Sequence, residues 1–334
     1  MKVVSYLALV FGLAAALALL SWHGFETVAA AMVTLGVGIL ALPFIYAPHM
    51  LGATISFSQI FPPGTRPAFP VMLRAVWIGL SVESMLPGAS FSAEIAKARI
   101  LLRARLDGHV AASVVIVDMT IQGLVLAVWG GFGVGALWST RAGADLVWSG
   151  LVGACVLTLS IAGLVLAQRS GFFAFLARQG GRATLSARWQ GVIGGVSQID
   201  TTIRDIYDRP GRIVLAITIR GCSRSMLMVE LCFVGFLMGH PIAPSAAVML
   251  VGLIGALRAA AFVVPGGWGV QEGGFVVIGG LVGLPPDIML AMSLATRARE
   301  LMVGVPALLV WQIAESRSLK KLIAERPAGP DPSP

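Results

Sequence analysis

The chain has 334 residues, of which 57% are hydrophobic and 12% charged, and its mean hydropathy is +0.87. Soluble domains run near 45–50% apolar and about 25% charged, so this composition leaves too little polar surface to coat a water-soluble fold. The net charge of +8 comes from basic residues clustered beside apolar runs (Lys97/Arg99/Arg103/Arg105, Arg169 to Arg212, and Arg317/Lys320/Lys321/Arg326), which is the pattern of cytoplasmic loops in a membrane protein and argues against a nucleic-acid partner.

Residues 3–21 form the first apolar run. Its apolar core of roughly 18 residues exceeds a signal-peptide h-region and Trp22 follows at the interface, so an uncleaved first span is expected. A second span covers 27–47, with Pro43 and Pro48 near its end. The Pro-rich stretch ISFSQIFPPGTRPAFP (55–70) reads as a loop or as a half-buried helix followed by a turn. Residues 71–86 are apolar but short, carry Arg74 and Glu83, and stop at Pro87-Gly88. A helix of rising basicity follows, then a long span at 110–138 with Asp118 and Gln122, and another at 145–167.

The basic 169–209 segment has interleaved apolar residues, which suits either helices in the interface plane or a solvated cytoplasmic hairpin. The next span, 212–238, contains Arg220, Arg224 and Glu230. Residues 244–264 carry Arg258 and stop at Pro265-Gly266-Gly267, and 270–283 is too short to span upright. A last span at 286–314 holds Arg297, Arg299 and Glu300, ahead of a basic, then Pro-rich tail.

The two breaks are alike. PGASFSAE (87–94) and PGGWGVQE (265–272) both read Pro-Gly, five residues, then Glu, and they lie 178 positions apart. With the N-terminus inside, the basic cluster 97–105 stays cytoplasmic only if 71–96 enters from the cytoplasm and turns back; 244–283 then enters from outside and turns back. Non-helical backbone at membrane depth is tolerated inside protein or beside a water-filled cavity, and paired broken segments point to an inverted repeat around a central site. The expected fold is therefore an all-α polytopic membrane protein with about six full transmembrane helices and two re-entrant helical hairpins in an inverted-repeat-like arrangement. One transmembrane domain covers 1–315, with re-entrant regions at 71–105 and 244–283 and an interfacial or cytoplasmic segment at 169–211; 316–334 is expected to be a disordered cytoplasmic tail.

An ionisable group at a helix centre in the bilayer costs on the order of 2.5–3.5 kcal/mol by insertion scales, so each needs a partner or a wet cavity. Glu94 and Glu272 each start the second arm of a hairpin. There they either cap a half-helix or converge at the midplane to bind a headgroup, exchange protons or hold an Arg. Asp118, one turn from Gln122, is expected to pair with Arg297, Arg299 or Arg258, or to serve transport. Glu300 can pair with Arg297 three residues away. Arg258, Arg297 and Gln271 complete the candidate binding set. Pro87, Gly88, Pro265, Gly266, Gly267, Trp268 and Gly269 are the candidate bends, with Trp268 as a packing plug or a gate. Cys155, Cys222 and Cys232 lack any metal or disulfide spacing and His23, His49, His109 and His240 are scattered, so no metal is expected. No nucleotide-site or nucleophile motif is present, so no cofactor and no catalytic residue is expected.

Residues 84–122 (SMLPGASFSAEIAKARILLRARLDGHVAASVVIVDMTIQ) and 257–312 (LRAAAFVVPGGWGVQEGGFVVIGGLVGLPPDIMLAMSLATRARELMVGVPALLVWQ) resemble the two signatures of the lysylphosphatidylglycerol-synthase transmembrane-region, or flippase-like, superfamily. More narrowly they resemble hopanoid-biosynthesis-associated membrane proteins of the HpnL type. Ser92-Ala93 departs from the glycine expected ahead of Glu94. The resemblance implies a bacterial inner-membrane protein of a polytopic flippase-like fold; the charge pattern places both termini in the cytoplasm. The resemblance also implies translocation of hopanoid or related polar lipids, with anionic or hopanoid lipid and hopanoid-biosynthesis enzymes as partners. The soluble aminoacyl-transferase domain of larger relatives has no room after the last span, so an enzymatic role is not expected. An intramembrane headgroup-modifying enzyme and a non-catalytic scaffold for lipid-biosynthesis enzymes stand as alternatives.

Overall fold

The computed structural model describes residues 33–85, 89–138, 144–170, 187–261, 264 and 267–324. The expected span at 3–21 and the bend residues Pro87, Gly88, Pro265 and Gly266 lie outside them. Among the described residues all regular structure is helical. A 3-10 turn, Gly36–Ala41, leads into α1 (Leu42–Gln59), followed by α2 (Phe69–Met85), α3 (Ala89–Arg103), α4 (Gly108–Leu137) and α5 (Ala144–Arg169). Then come α6 (Ala187–Tyr207), α7 (Pro210–Leu237), α8 (Pro244–Ala260), α9 (Val270–Leu281) and α10 (Pro286–Ala324).

Prolines set several of these boundaries. Helices α7, α8 and α10 each begin on a proline, where the missing N–H would have had no intrahelical partner. Pro43 sits in the first turn of α1 for the same reason, but Pro48 does not end the helix, which continues to Gln59. Of the two readings of 55–70, the helix followed by a turn is the one seen. Among the described residues, three stretches, Val33–Gln59, Gly108–Leu137 and Leu151–Arg169, are long and apolar enough to cross a bilayer. Large apolar side chains such as Phe44, Phe132, Trp148, Phe236 and Val277 point outward, as lipid-facing residues do. In the basic segment, α6 docks on the bundle: Ile203, Ile206 and Tyr207 are buried, and the Ser113 hydroxyl of α4 donates to the Ile199 carbonyl at 3.1 Å.

Eight of the ten described α-helices fall into two sets of four, α1–α4 and α7–α10, with α5 and α6 between them in sequence. The 178-residue shift that separates the Pro-Gly pairs also carries Gly108, the start of α4, onto Pro286, the start of α10. It carries the last residues of α1 and α3 onto the last residues of α7 and α9. Packing repeats in the same way. The pairs α1/α2, α2/α3 and α3/α4 recur as α7/α8, α8/α9 and α9/α10. Across the halves, α4 packs on α8 as α10 packs on α2, and α1 meets its counterpart α7. The short helices on either side of each Pro-Gly therefore lie against one another, and each half donates its long fourth helix to the other half's short pair.

The contact between α4 and α8 needs glycine at its closest point. A Cβ on Gly252 would collide with the Trp129 carbonyl and come within 3.1 Å of Gly133 Cα. Gly252→Ala must therefore separate α4 from α8. The expected cost is about 1–3 kcal/mol, read as a lower unfolding midpoint in detergent. Gly131→Ala and Gly135→Ala, where a Cβ meets nothing within 4 Å, should leave the midpoint unchanged or raise it.

Candidate functional site

The two halves enclose a cavity of about 420 Å³ between α1, α2, α3, α4, α7, α8, α9 and α10. Its wall combines apolar residues such as Leu80, Val125 and Leu250 with an unusual number of charged ones. Six acids (Glu83, Glu94, Asp118, Glu230, Glu272, Glu300) and six bases (Lys97, Arg220, Arg224, Arg258, Arg297, Arg299) line it or stand directly behind it. The set is neutral when all are ionised, as buried charges require.

One network centres on Asp118, which is fully buried on α4. Its Oδ1 accepts from Arg220 Nη1 of α7 at 2.6 Å, and its Oδ2 accepts from Lys97 Nζ of α3 at 2.9 Å. Lys97 also donates to Glu94 Oε1 at 2.9 Å, the i,i+3 partner on its own helix. Gln122, one turn past Asp118, accepts from Arg220 Nη2 at 3.3 Å and donates to Glu83 Oε2 at 3.2 Å. Gly79 makes room for the lysine: a Cβ there would meet Lys97 Cε at 2.6 Å.

The second network centres on Glu272 and Glu300. Gly269, with φ +77°, ends the coil before α9, and its N–H donates to Glu272 Oε2 at 2.6 Å. That conformation is open to glycine at little cost. Glu272 Oε1 accepts from Arg297 Nε at 3.1 Å. Arg297 continues to Glu300 at 2.9 Å, and Glu300 accepts from Arg258 at 2.8 Å. Arg258 also reaches Gln271 Oε1 at 2.8 Å, while Gln271 Nε2 donates to the Ser293 and Thr296 hydroxyls. Arg299 donates to Glu230 at 2.9 Å and lies over the Tyr46 ring, 4.1 Å from its centroid.

The glutamates of the two Pro-Gly motifs thus differ in setting. Glu272 caps α9, pairs with Arg297 and stands behind the cavity wall. Glu94 lines the cavity, and its Oε2 is buried with no hydrogen-bond partner among the described residues. Of the other candidates, Arg258, Gln271 and Gly267 line the cavity, Asp118 and Arg297 stand behind it, and Trp268 lies under the Arg297 guanidinium at 4.6 Å. Asp118 pairs with Lys97 and Arg220 rather than with Arg297, Arg299 or Arg258, because those three are taken by Glu272, Glu300 and Glu230 on the far wall. Arg299 and Arg297 serve different acids, as their two-residue spacing requires. Among the described residues no cluster of His, Cys, Asp and Glu has the makings of a metal site.

Sequence reasoning did not single out Lys97, Arg220, Arg224, Glu230 or Arg299 for the site. Two signals pointed to three of them, Lys97, Arg220 and Arg224: the Glu94/Lys97 spacing of three, and the Arg220/Arg224 spacing of four in an otherwise apolar span. Chemically, the arrangement is a set of opposed donors and acceptors in a chamber of about 420 Å³ inside an apolar bundle, suited to holding a polar group out of contact with hydrocarbon.

A family model described as "Lysylphosphatidylglycerol synthase TM region" matches residues 6–307. No curated protein matches the chain.

The Asp118 pairing has a direct consequence. Asp118→Asn leaves Lys97 and Arg220 buried without their shared counter-charge, so it should cost about 3–5 kcal/mol and sharply lower the unfolding midpoint. Glu94→Gln should cost less, since Lys97 keeps Asp118. The two midpoints, measured side by side in detergent, check this order.

Proposed function

The chain belongs to the lysylphosphatidylglycerol synthase transmembrane-region family, and from that premise we propose that it carries lipid headgroups across a bacterial inner membrane through the central cavity. The observation that supports this most is the charge-lined chamber between two helix sets of matching packing. A lipid headgroup crosses hydrocarbon slowly because its polar atoms lose water with nothing to replace it. The cavity supplies replacement partners from both halves, while the acyl chains remain along the apolar outer faces of the helices.

In this reading the α2/α3 and α8/α9 pairs are re-entrant hairpins, with about six full spans around them and both termini cytoplasmic. Each hairpin opens the chamber toward one leaflet, and exchange between the two openings moves the head. The chain belongs to the hopanoid-associated branch, its cargo is a membrane lipid with an anionic or hopanoid head, and hopanoid-biosynthesis enzymes are its partners. Transport runs by passive scrambling or with protons. Of Glu94, Glu272 and Asp118, Glu94 is the one that lines the cavity, so it is the candidate to exchange a proton with the cargo or with water.

Reconstitution into liposomes with a fluorescently labelled lipid tests the reading. Wild-type protein is expected to speed leaflet exchange without changing the lipid's mass, and Glu94→Gln to slow it by about tenfold or more. A mass-shifted lipid would identify a headgroup-modifying enzyme instead. Exchange no faster than in protein-free liposomes would remove the translocation reading.

A further inference from the structure

Arg224 lies one turn after Arg220 on α7 and lines the same cavity, but its situation is different. Arg220 is committed to Asp118 and Gln122. Among the described residues, no carboxylate lies within 4 Å of Arg224, and its Nε is buried with no hydrogen-bond partner. Glu230 is paired with Arg299, and Glu300 with Arg258 and Arg297; Glu83, held by the Gln122 amide, faces Arg224 only from beyond 4 Å. Arg220, Arg258 and Arg299 line the same cavity.

The guanidinium is also positioned. It reaches across from α7 to α8, where the absence of a side chain at Gly255 admits it; a Cβ there would come within 2.5 Å of Arg224 Nη2. A guanidinium in an apolar bundle carries a large desolvation cost unless an anion meets it. Its planar fork of N–H donors fits two oxygens of one phosphate.

We propose that Arg224 binds the phosphate of the cargo lipid's head, which makes the cargo an anionic phospholipid rather than an uncharged polyol lipid. The inference rests on the translocation reading and names its substrate class. Glu94 lines the same chamber, and its buried Oε2 has no hydrogen-bond partner among the described residues.

The test is binding of short-chain dihexanoylphosphatidylglycerol, and separately of inorganic phosphate, to the full chain in uncharged maltoside micelles, measured by calorimetry. Wild type should bind the lipid. Arg224→Gln should weaken binding by about tenfold or more, and Arg224→Lys should recover part of it. Gly255→Ala, which keeps the charge but displaces the guanidinium, should also weaken it. Arg66→Gln, at an exposed position, should change nothing. Thermal unfolding of each variant establishes that it is folded, and Arg224→Lys and Gly255→Ala carry the test if Arg224→Gln is not. Undiminished binding in both Arg224→Gln and Gly255→Ala would overturn the proposal. So would inorganic phosphate binding as tightly as the lipid, since the anion would then not come from a headgroup. The liposome assay separates the two ideas. Full leaflet exchange in Arg224→Gln sinks this inference and leaves translocation standing. Arg224-dependent lipid binding without any exchange by the wild type sinks translocation and leaves the phosphate site standing.

Discussion

Asp118 holds two cations at once, Lys97 at 2.9 Å and Arg220 at 2.6 Å, and neither carboxylate oxygen is left over. In an apolar bundle such a cluster is held together because each of its charges meets a hydrogen-bonded opposite, which offsets the cost of desolvation. The triad draws α3, α4 and α7 together, and α7 belongs to the other half of the molecule. The glutamates on the far wall do the same among α8, α9 and α10 and, through Glu230 and Arg299, between α7 and α10. These pairings keep a polar chamber open where apolar side chains alone would close it.

The scaffold repeats, but the chemistry on it does not. The 178-residue shift that superposes the helix plan sets Asp118 opposite Thr296, Gln122 opposite Glu300 and Tyr46 opposite Arg224. Only the motif glutamates match, and they have diverged in use. Glu272 is tied to the Gly269 N–H and to Arg297, whereas Glu94 lines the cavity with one oxygen unpartnered among the described residues. A repeated fold carrying unlike charges gives the two halves different affinities for the same group. A ligand shifts a conformational equilibrium only through such a difference.

Much of this plan was legible in the sequence. Helix order follows from apolar run length and from prolines, and the repeat shows in two eight-residue strings. The presence of charged residues in apolar runs marked the spans that build the site. Partner choice was not legible. Lys97 reads as the first member of a cytoplasmic basic run, and only the Gly79 notch and the position of Asp118 on α4 show that its ammonium is buried. Asp118 finds its arginine 102 positions away on α7, a pairing that no spacing rule encodes. Arg224 could not be told from Arg220 by sequence, because what distinguishes them is the acid that one has and the other lacks.

The account stands on a lipid headgroup occupying the chamber between the halves. Its most direct measurement is an electron cryomicroscopy map of the full chain in nanodiscs of native-like lipid, read for density inside the cavity. The account predicts a headgroup within hydrogen-bonding distance of cavity-wall charges, with its acyl chains leaving between helices. A chamber holding only water, with all ordered lipid on the outer faces, would contradict it.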